Sequence, residues 1–433
     1  MIFDYGFSLT GKSHITKGIC CQDSHRIKQL DNGWYIAAIA DGVGSAKNSQ
    51  VGSRIATETV VTMCEEYMPW DYNVISMKSM MRTAYNYAYK QILREAQKSG
   101  EPVESYDTTL SMVIYDGHRI VYGHVGDGAI IGLNTYGDYV EITKPQKGAD
   151  GISVLPLRAG YTQWKIDNYD EELAAVLLMT DGMLDIFCPY LLKDLSNKAD
   201  RVYVPLASFF ADPAGFGENE KKGSQIKKNI EQFITANEDY DVADFYEQLL
   251  KIYKKRVPEG GADIIKLLAT NNYPVILMQN VQDDKTVVGL VNTEIKVDNK
   301  EPVFYEEPDW QNLQEAWNRK AYPHLYSEKI ESAEGESKKS TGGKQIVADT
   351  IRERIPEEKK EQFIPLSVTA ASGKAKQVME AYGRTAVAGT KKIIPAPSLQ
   401  ARTETSEKKD LIMEKHDKPR RKGIIGKIGD VLD

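Results

Sequence analysis

At 433 residues, 41% of them hydrophobic and 27% charged, the chain is long enough for one large domain with additions or for two of ordinary size, and it can bury a sizeable core. Its formal net charge of -7 is uneven, with the acidic excess in residues 1–326 and a net basic stretch from Ser327 onward. So acidic a body lacks the Lys and Arg surplus that neutralises nucleic-acid phosphates, which excludes nucleic acid as a partner and favours a cation site.

No stretch reaches the roughly 20 consecutive apolar residues that span a bilayer, and Met1–Thr10 lacks the basic start and apolar middle of a signal peptide. A cytoplasmic protein without a transmembrane segment is expected. Cys20, Cys21, Cys64 and Cys188 show no CxxC spacing and form no disulfide framework. That fits a reducing compartment, argues against zinc and reads the four as small buried apolar residues.

In chain order, the first candidate strand is Tyr5–Leu9. Across it, Gly6–Ser13 matches the GxxxxGKS phosphate-loop pattern. That motif needs an apolar strand before it and a helix after it, whereas Met1–Tyr5 is short and Gly18 interrupts the segment behind the motif, so no nucleotide site is expected. Trp34–Ala40 is the next strand. Helices come next over Ser49–Cys64, opened by a serine of capping type, and over Val74–Lys98, where Ile75, Met80, Ala84, Ala88 and Ile92 recur at roughly helical spacing. Further strands are Thr109–Tyr115, Arg119–Val125, Ala129–Leu133, Asp138–Thr143 and Leu173–Met179. Asp116 and Gly117 open a short loop of hairpin type, which makes the strands on either side antiparallel neighbours. From Ile186 to Gln282 the pattern is mixed, with helical spacing at Ile226, Ile230, Phe233 and Ile234 and again at Phe245, Leu249, Leu250 and Tyr253. Thr286–Val291 is the last strand. Short strands and long helices without regular alternation predict an α+β layered sandwich.

Phe304–Tyr326 keeps Trp310 and Trp317 and is expected to pack as a helix on the body. Beyond it, only Phe363 and Tyr382 are aromatic, too little to bury the surface a fold needs, so residues 327–433 read as a disordered tail. Within the tail, Pro419–Asp433 sets Ile424, Ile425, Ile428, Val431 and Leu432 at helical spacing beside Arg420, Arg421, Lys422 and Lys427. The alternatives are an amphipathic helix that docks on a partner or a membrane surface and a frayed end, since Gly423, Gly426 and Gly429 each cost about 1 kcal/mol in helix propensity.

Five aspartates carry the chemical reading. Asp41 follows the apolar run Ile36–Ala40, Asp127 follows Ile120–Gly126, Asp181 follows Leu173–Thr180, and each has a glycine immediately after it. Asp283 instead precedes its strand, and Asp23 lies in a loop after Cys20-Cys21-Gln22. A carboxylate at the end of a buried strand is costly unless cations or hydrogen bonds compensate it. In antiparallel neighbours the end of one strand lies beside the start of the next, so such carboxylates converge on one sheet edge. Magnesium and manganese take oxygen ligands, usually one or two carboxylates per ion, and four or five converging aspartates suit two or three such ions. Gly42 permits a tight backbone turn after the strand and an unobstructed carbonyl. Any single Asp-Gly is most often a turn pair, and Asp116-Gly117 is read as only that; the weight lies on the set.

The ordered set Cys21-Gln-Asp23, Ile39-Ala-Asp-Gly-Val-Gly44, Thr108-Thr109, Val125-Gly-Asp-Gly128, Met179-Thr-Asp-Gly-Met-Leu-Asp185 and Asp283-Asp-Lys-Thr-Val-Val288 resembles the type 2C metal-dependent protein serine/threonine phosphatases, in their bacterial-like branch. The likeness covers about the first 300 residues. It implies a four-layer sandwich of two central antiparallel β-sheets flanked by α-helices, with residues 1–300 as the phosphatase domain, an insertion at about 188–282, a helical extension over 301–326 and a disordered tail over 327–433. It also implies two Mn2+ or Mg2+ ions. Asp41 would serve both, the Gly42 carbonyl one of them, and Asp23, Asp181 and Asp283 would ligate directly or through water. Asp127 with Asp181 corresponds to a third, weaker position, and Asp185 and Asp284 read as supporting residues.

The chemistry so implied is attack of a metal-activated water on a phosphoserine or phosphothreonine, with two cations about 3.5–4 Å apart clamping the attacking and leaving oxygens. No protein nucleophile is required, in keeping with the absence of a cysteine nucleophile signature and of a GxSxG elbow. The partners would be phosphorylated proteins and a cognate Ser/Thr kinase. Two departures from the family pattern stand out. Gly18 occupies the place of a phosphate-gripping arginine, leaving His14, Lys17 and Arg26 as the nearest substitutes, with His14 read as contacting phosphate or leaving group. The usual VGDS is VGDG here, which removes a hydroxyl and keeps Asp127. Two rivals remain open at this point: a catalytically weak or inactive phosphoprotein-binding regulatory module, and a scaffold that works through its tail.

Overall fold

The computed structural model describes residues 1–71, 73–148, 150, 153–195, 202–217, 219–235, 242–257 and 273–323. The chain divides into two units, Met1–Ala370 and Ala371–Asp433. All the described residues belong to the first. The tail expected from residue 327 and its terminal segment Pro419–Asp433 lie outside them.

The described chain runs β1 (Ile2–Leu9), α1 (Lys12–Lys17), β2 (Ser24–Gln29), β3 (Tyr35–Ala40), α2 (Ser49–Glu66), α3 (Val74–Ser99), β4 (Leu110–Tyr115), β5 (Ile120–Val125), β6 (Ala129–Asn134), β7 (Tyr139–Glu141), β8 (Lys165–Tyr169) and β9 (Leu173–Met179). After these come α4 (Asp181–Phe187), α5 (Tyr190–Leu195), α6 (Val204–Ala211), α7 (Pro213–Phe216), α8 (Glu220–Thr235), α9 (Val242–Arg256), α10 (Tyr273–Gln279), β10 (Lys285–Asn292) and α11 (Trp310–Ala321). The strands form two five-stranded sheets, ordered β1-β10-β9-β6-β7 and β2-β3-β4-β5-β8. Every pairing in both is antiparallel.

Side-chain parity along the strands generates the layers. In β3, Tyr35, Ala37 and Ile39 face inward to a core between the sheets that also holds Val113, Tyr115, Val176, Leu178 and Val288. The alternate residues Ile36, Ala38 and Ala40 pack instead against Ala56 and Val60 of α2 and Met81, Ala84 and Ala88 of α3. On the far side, Ala175, Leu177 and Met179 of β9 and Val287 and Val291 of β10 meet the helices between α4 and α9, including Phe187, Phe209, Phe210 and Phe233. Helix, sheet, sheet and helix therefore stack as the expected four layers. Because helices and the opposite sheet cover both faces, the central strands read as unbroken apolar runs.

The differences from expectation obey the same physics. Ser24–Gln29 and Lys165–Tyr169 are strands that carry no strand signal in the sequence. They are the two edges of the second sheet, partly exposed and polar, so no apolar run marks them. β7, an edge of the first sheet, is shorter than Asp138–Thr143. Ser49 does not cap α2: the N-cap is Asn48, and the Ser49 hydroxyl is buried without a partner among the described residues. The buried face of α3 runs through Met77, Met81, Ala84, Tyr85, Ala88, Ile92 and Ala96, while Ile75 is exposed. Cys64 and Cys188 are buried as expected, whereas Cys20 is exposed. The GxxxxGKS match is not a phosphate loop, since Gly6 lies inside β1, paired with Val288, and the helix after Gly11 is only 6 residues long. Trp310 is buried at the start of α11, with its ring centroid 5.2 Å from that of Tyr203.

Candidate metal centre

Sheet register brings the site together. Ala40 pairs with Ser24, Val125 with Leu110, and Met179 with both Ala129 and Val287. The residues just past β3, β5 and β9 and just before β2 and β10 therefore meet at one end of the sandwich. Asp41, Asp127, Asp181, Asp23 and Asp283 occupy those positions. The link β5–β6 crosses from one sheet to the other, so Asp127 stands between the two.

Hydrogen bonds hold Asp41, Asp23 and Asp284 in place. The Asp41 N–H donates to Thr109 Oγ1 at 2.9 Å, and the Asp41 carbonyl accepts from the Thr109 N–H and the Thr108 hydroxyl, each at 2.8 Å. This explains the adjacent threonines just before β4. A Cβ on Gly42 would lie 2.7 Å from the Gln22 carbonyl oxygen, so that glycine is required by close backbone approach and not by a left-handed turn. Thr180 Oγ1 donates to Asp23 Oδ2 at 2.9 Å. Asp284, 2% exposed, accepts from the Gly11 N–H at 2.8 Å and the Gln22 N–H at 2.6 Å. Its Oδ1 also lies 2.9 Å from His14 Nδ1. Asp284 thus ties the start of β10 to the segments before α1 and β2.

Asp41, Asp127 and Asp181 each offer a carboxylate oxygen, all within 4.8 Å of one another, and His14, Asp283 and Asp284 form a second such group. Burial raises the carboxyl of Asp41 well above the ordinary range, reinforced by the charges of Asp23, Asp283 and Asp127. Burial likewise raises Asp181, with Asp41, Asp127 and Asp283 adding to it. Asp23 is pushed up to about 8, first by burial and then by Asp284 and Asp181, against hydrogen bonds from Thr286 and Thr180. Such mutual destabilisation of negative charge is what a divalent cation relieves.

The donor set fits such an ion. It is all oxygen at the first cluster, the chemistry of Mg2+ and Mn2+. Asp127 is only 3% exposed, and its Oδ1 is buried without a hydrogen-bond partner among the described residues, an arrangement that is costly unless something positive completes it. Its Oδ2 accepts from Lys147 Nζ at 2.7 Å. Sequence reasoning does not find Lys147 or Thr180: Lys147 lies in a loop with no pattern around it, and Thr180 is legible only as a member of the Met179–Asp185 motif.

The model of the protein phosphatase 2C family matches residues 10–234, more than half of the chain. The chain belongs to this family. The matched span contains four of the five aspartates and ends before Asp283. No curated protein matches the chain. Among solved structures, a bacterial serine phosphatase is similar at 14% identity and a TM-score of 0.40, covering 69% of this chain and 100% of that one. The serine/threonine phosphatase Stp1 from Staphylococcus aureus is similar at 14% identity and a TM-score of 0.38, covering 67% and 95%. The catalytic domain of the serine threonine protein phosphatase PstP, solved in complex with 2 manganese ions, is similar at 15% identity and a TM-score of 0.37, covering 67% and 97%. In this protein phosphatase 2C chain no described helix is long and apolar enough to cross a membrane.

Proposed function

We propose that the chain hydrolyses phosphoserine and phosphothreonine in proteins, with Mn2+ or Mg2+ held by Asp23, Asp41, the Gly42 carbonyl, Asp181 and Asp283, and a third position at Asp127 with Asp181. The observation that carries this reading is the meeting of carboxylate oxygens of Asp41, Asp127 and Asp181 within 4.8 Å of one another. When bound, a pair of such ions supplies a water of lowered pKa and Lewis-acid stabilisation of the phosphoryl oxygens.

The chain's own groups supply the rest. Thr108 and Thr109 lock the backbone that carries Asp41, and Thr180 orients Asp23. Asp284 holds His14 by Nδ1, which orients the imidazole for contact with the substrate phosphate or the leaving oxygen. No side-chain nucleophile is needed. The cytoplasm as its compartment and a Ser/Thr kinase as its counterpart belong to the same reading.

The test is hydrolysis of p-nitrophenyl phosphate and of a phosphothreonine peptide with and without Mn2+, in wild type, Asp41→Asn and Asp181→Asn. Metal-dependent turnover that both variants lose supports the reading. Equal inactivity of all three proteins across a range of divalent metals rejects it.

A further inference from the structure

Among the described residues, Lys147 is the cation ion-paired with one of the five aspartates. Backbone contacts anchor the chain at its base. The Gln146 N–H donates to the Gly126 carbonyl at 2.7 Å, and the Gly126 N–H returns to Gln146 Oε1 at 3.3 Å. Lys147 itself bridges to Val154 across the base of its loop. The loop that delivers the ammonium is therefore clamped to the backbone immediately before Asp127. The Lys147 side chain is 41% exposed against 4% for that of Asp127, so the ammonium closes the outer side of a buried carboxylate.

The two oxygens of Asp127 consequently face different demands. Oδ2 is taken by Lys147 at 2.7 Å, while Oδ1 is unpartnered, and Asp127 shares a cluster with Asp41 and Asp181. An ammonium on one oxygen draws electron density from it and competes for its lone pairs, so chelation of an ion through both oxygens is disfavoured. The ammonium's charge also opposes a second cation at short range, where screening is weak.

We propose that Lys147 is a positioning residue: a tethered counter-charge that competes for one oxygen of Asp127, favours ligation through the other and weakens divalent-cation binding at that corner of the centre. The assignment rests on the metal-centre reading given under Proposed function. It makes cation affinity at Asp127 a property of a lysine on a neighbouring loop.

The experiment uses the full chain stripped of metal, titrated with Mn2+ by calorimetry and by the electron paramagnetic resonance signal of free Mn2+. Lys147→Met and Lys147→Gln are expected to bind one more Mn2+ than wild type, or to bind the weakest ion about ten-fold more tightly. Lys147→Arg is expected to match wild type. In an Asp127→Asn background, Lys147→Met is expected to change nothing. Superimposable isotherms for wild type and both neutral variants overturn the proposal, as does an equal gain in the Asp127→Asn background. Wild type that binds Mn2+ but hydrolyses no phosphoester would reject the proposed function alone. Binding that Lys147→Met leaves unaltered would reject this inference alone, and failure of every variant to bind Mn2+ would reject both.

Discussion

Gln22 and Asp284 are separated by 262 positions in the chain, yet the Gln22 N–H donates to Asp284 Oδ2 at 2.6 Å. That bond fixes the residue before Asp23 to the residue after Asp283. Two proposed metal ligands from opposite ends of the folded unit are thereby set against each other by a third aspartate that accepts hydrogen bonds from the earlier segments.

Asp284→Ala would leave the Gly11 and Gln22 N–H groups without their acceptor. Orphaned buried donors cost about 1–3 kcal/mol each, so a loss of roughly 3 kcal/mol in unfolding free energy is expected, with a smaller loss for Asp284→Asn. Urea denaturation of the metal-free proteins measures it, and an Asp284→Ala midpoint equal to that of wild type would contradict the account.

Asp41→Asn has opposite effects in the two states of the centre. Without metal it removes a carboxylate that burial and neighbouring aspartates destabilise, so the melting temperature is expected to rise. Wild type should gain about 2.7 kcal/mol from Mn2+ at one hundred times the dissociation constant, and the variant should lose most of that gain. Hydrolysis is expected to fall roughly 100-fold or more, as when one group that stabilises transition-state charge is removed. Parallel thermal melts with and without Mn2+ test both directions, and a variant that melts below metal-free wild type defeats the first.

His124 is buried in β5, and burial lowers its imidazole to about 4, with Lys165 contributing. Its folded value lies below the ordinary 6.5, so the unfolded chain binds more protons between those two pH values. The stability tied to neutral His124 is thus complete above about pH 6.5 and is lost as pH falls toward 4, by about 3 kcal/mol over the window. Replacing the ring in His124→Asn should flatten that part of the curve. Urea midpoints between pH 4 and 7 decide it; identical pH slopes in wild type and variant would speak against His124.

A Cβ at Gly182 would lie 2.2 Å from the Asp284 carbonyl oxygen. Since the obstacle is backbone, neither partner yields by a rotamer change. Gly182→Ala is expected to cost about 3 kcal/mol and to displace Asp181 beside it. A chemical-denaturation curve that overlays wild type, with Mn2+ affinity intact, would show that the close approach is not required.

The residues by themselves determined the central strands and the two long helices, and they singled out five aspartates for the proposed site. Ile36–Ala40 and Leu173–Met179 are apolar at every position because both their faces are covered, and burial of that kind is written into local composition. The edges β2 and β8 were illegible for the converse reason, since a strand half open to solvent has no apolar signature. Only the tertiary structure decided that Asp284 accepts from the distant Gly11 and Gln22 N–H groups, that Asp127 stands where the chain crosses between sheets, and that Lys147 closes on it. Local periodicity reports whether a side chain is buried. Which distant group it meets depends on strand register and on the stacking of one sheet over another, and no window of the sequence contains both partners.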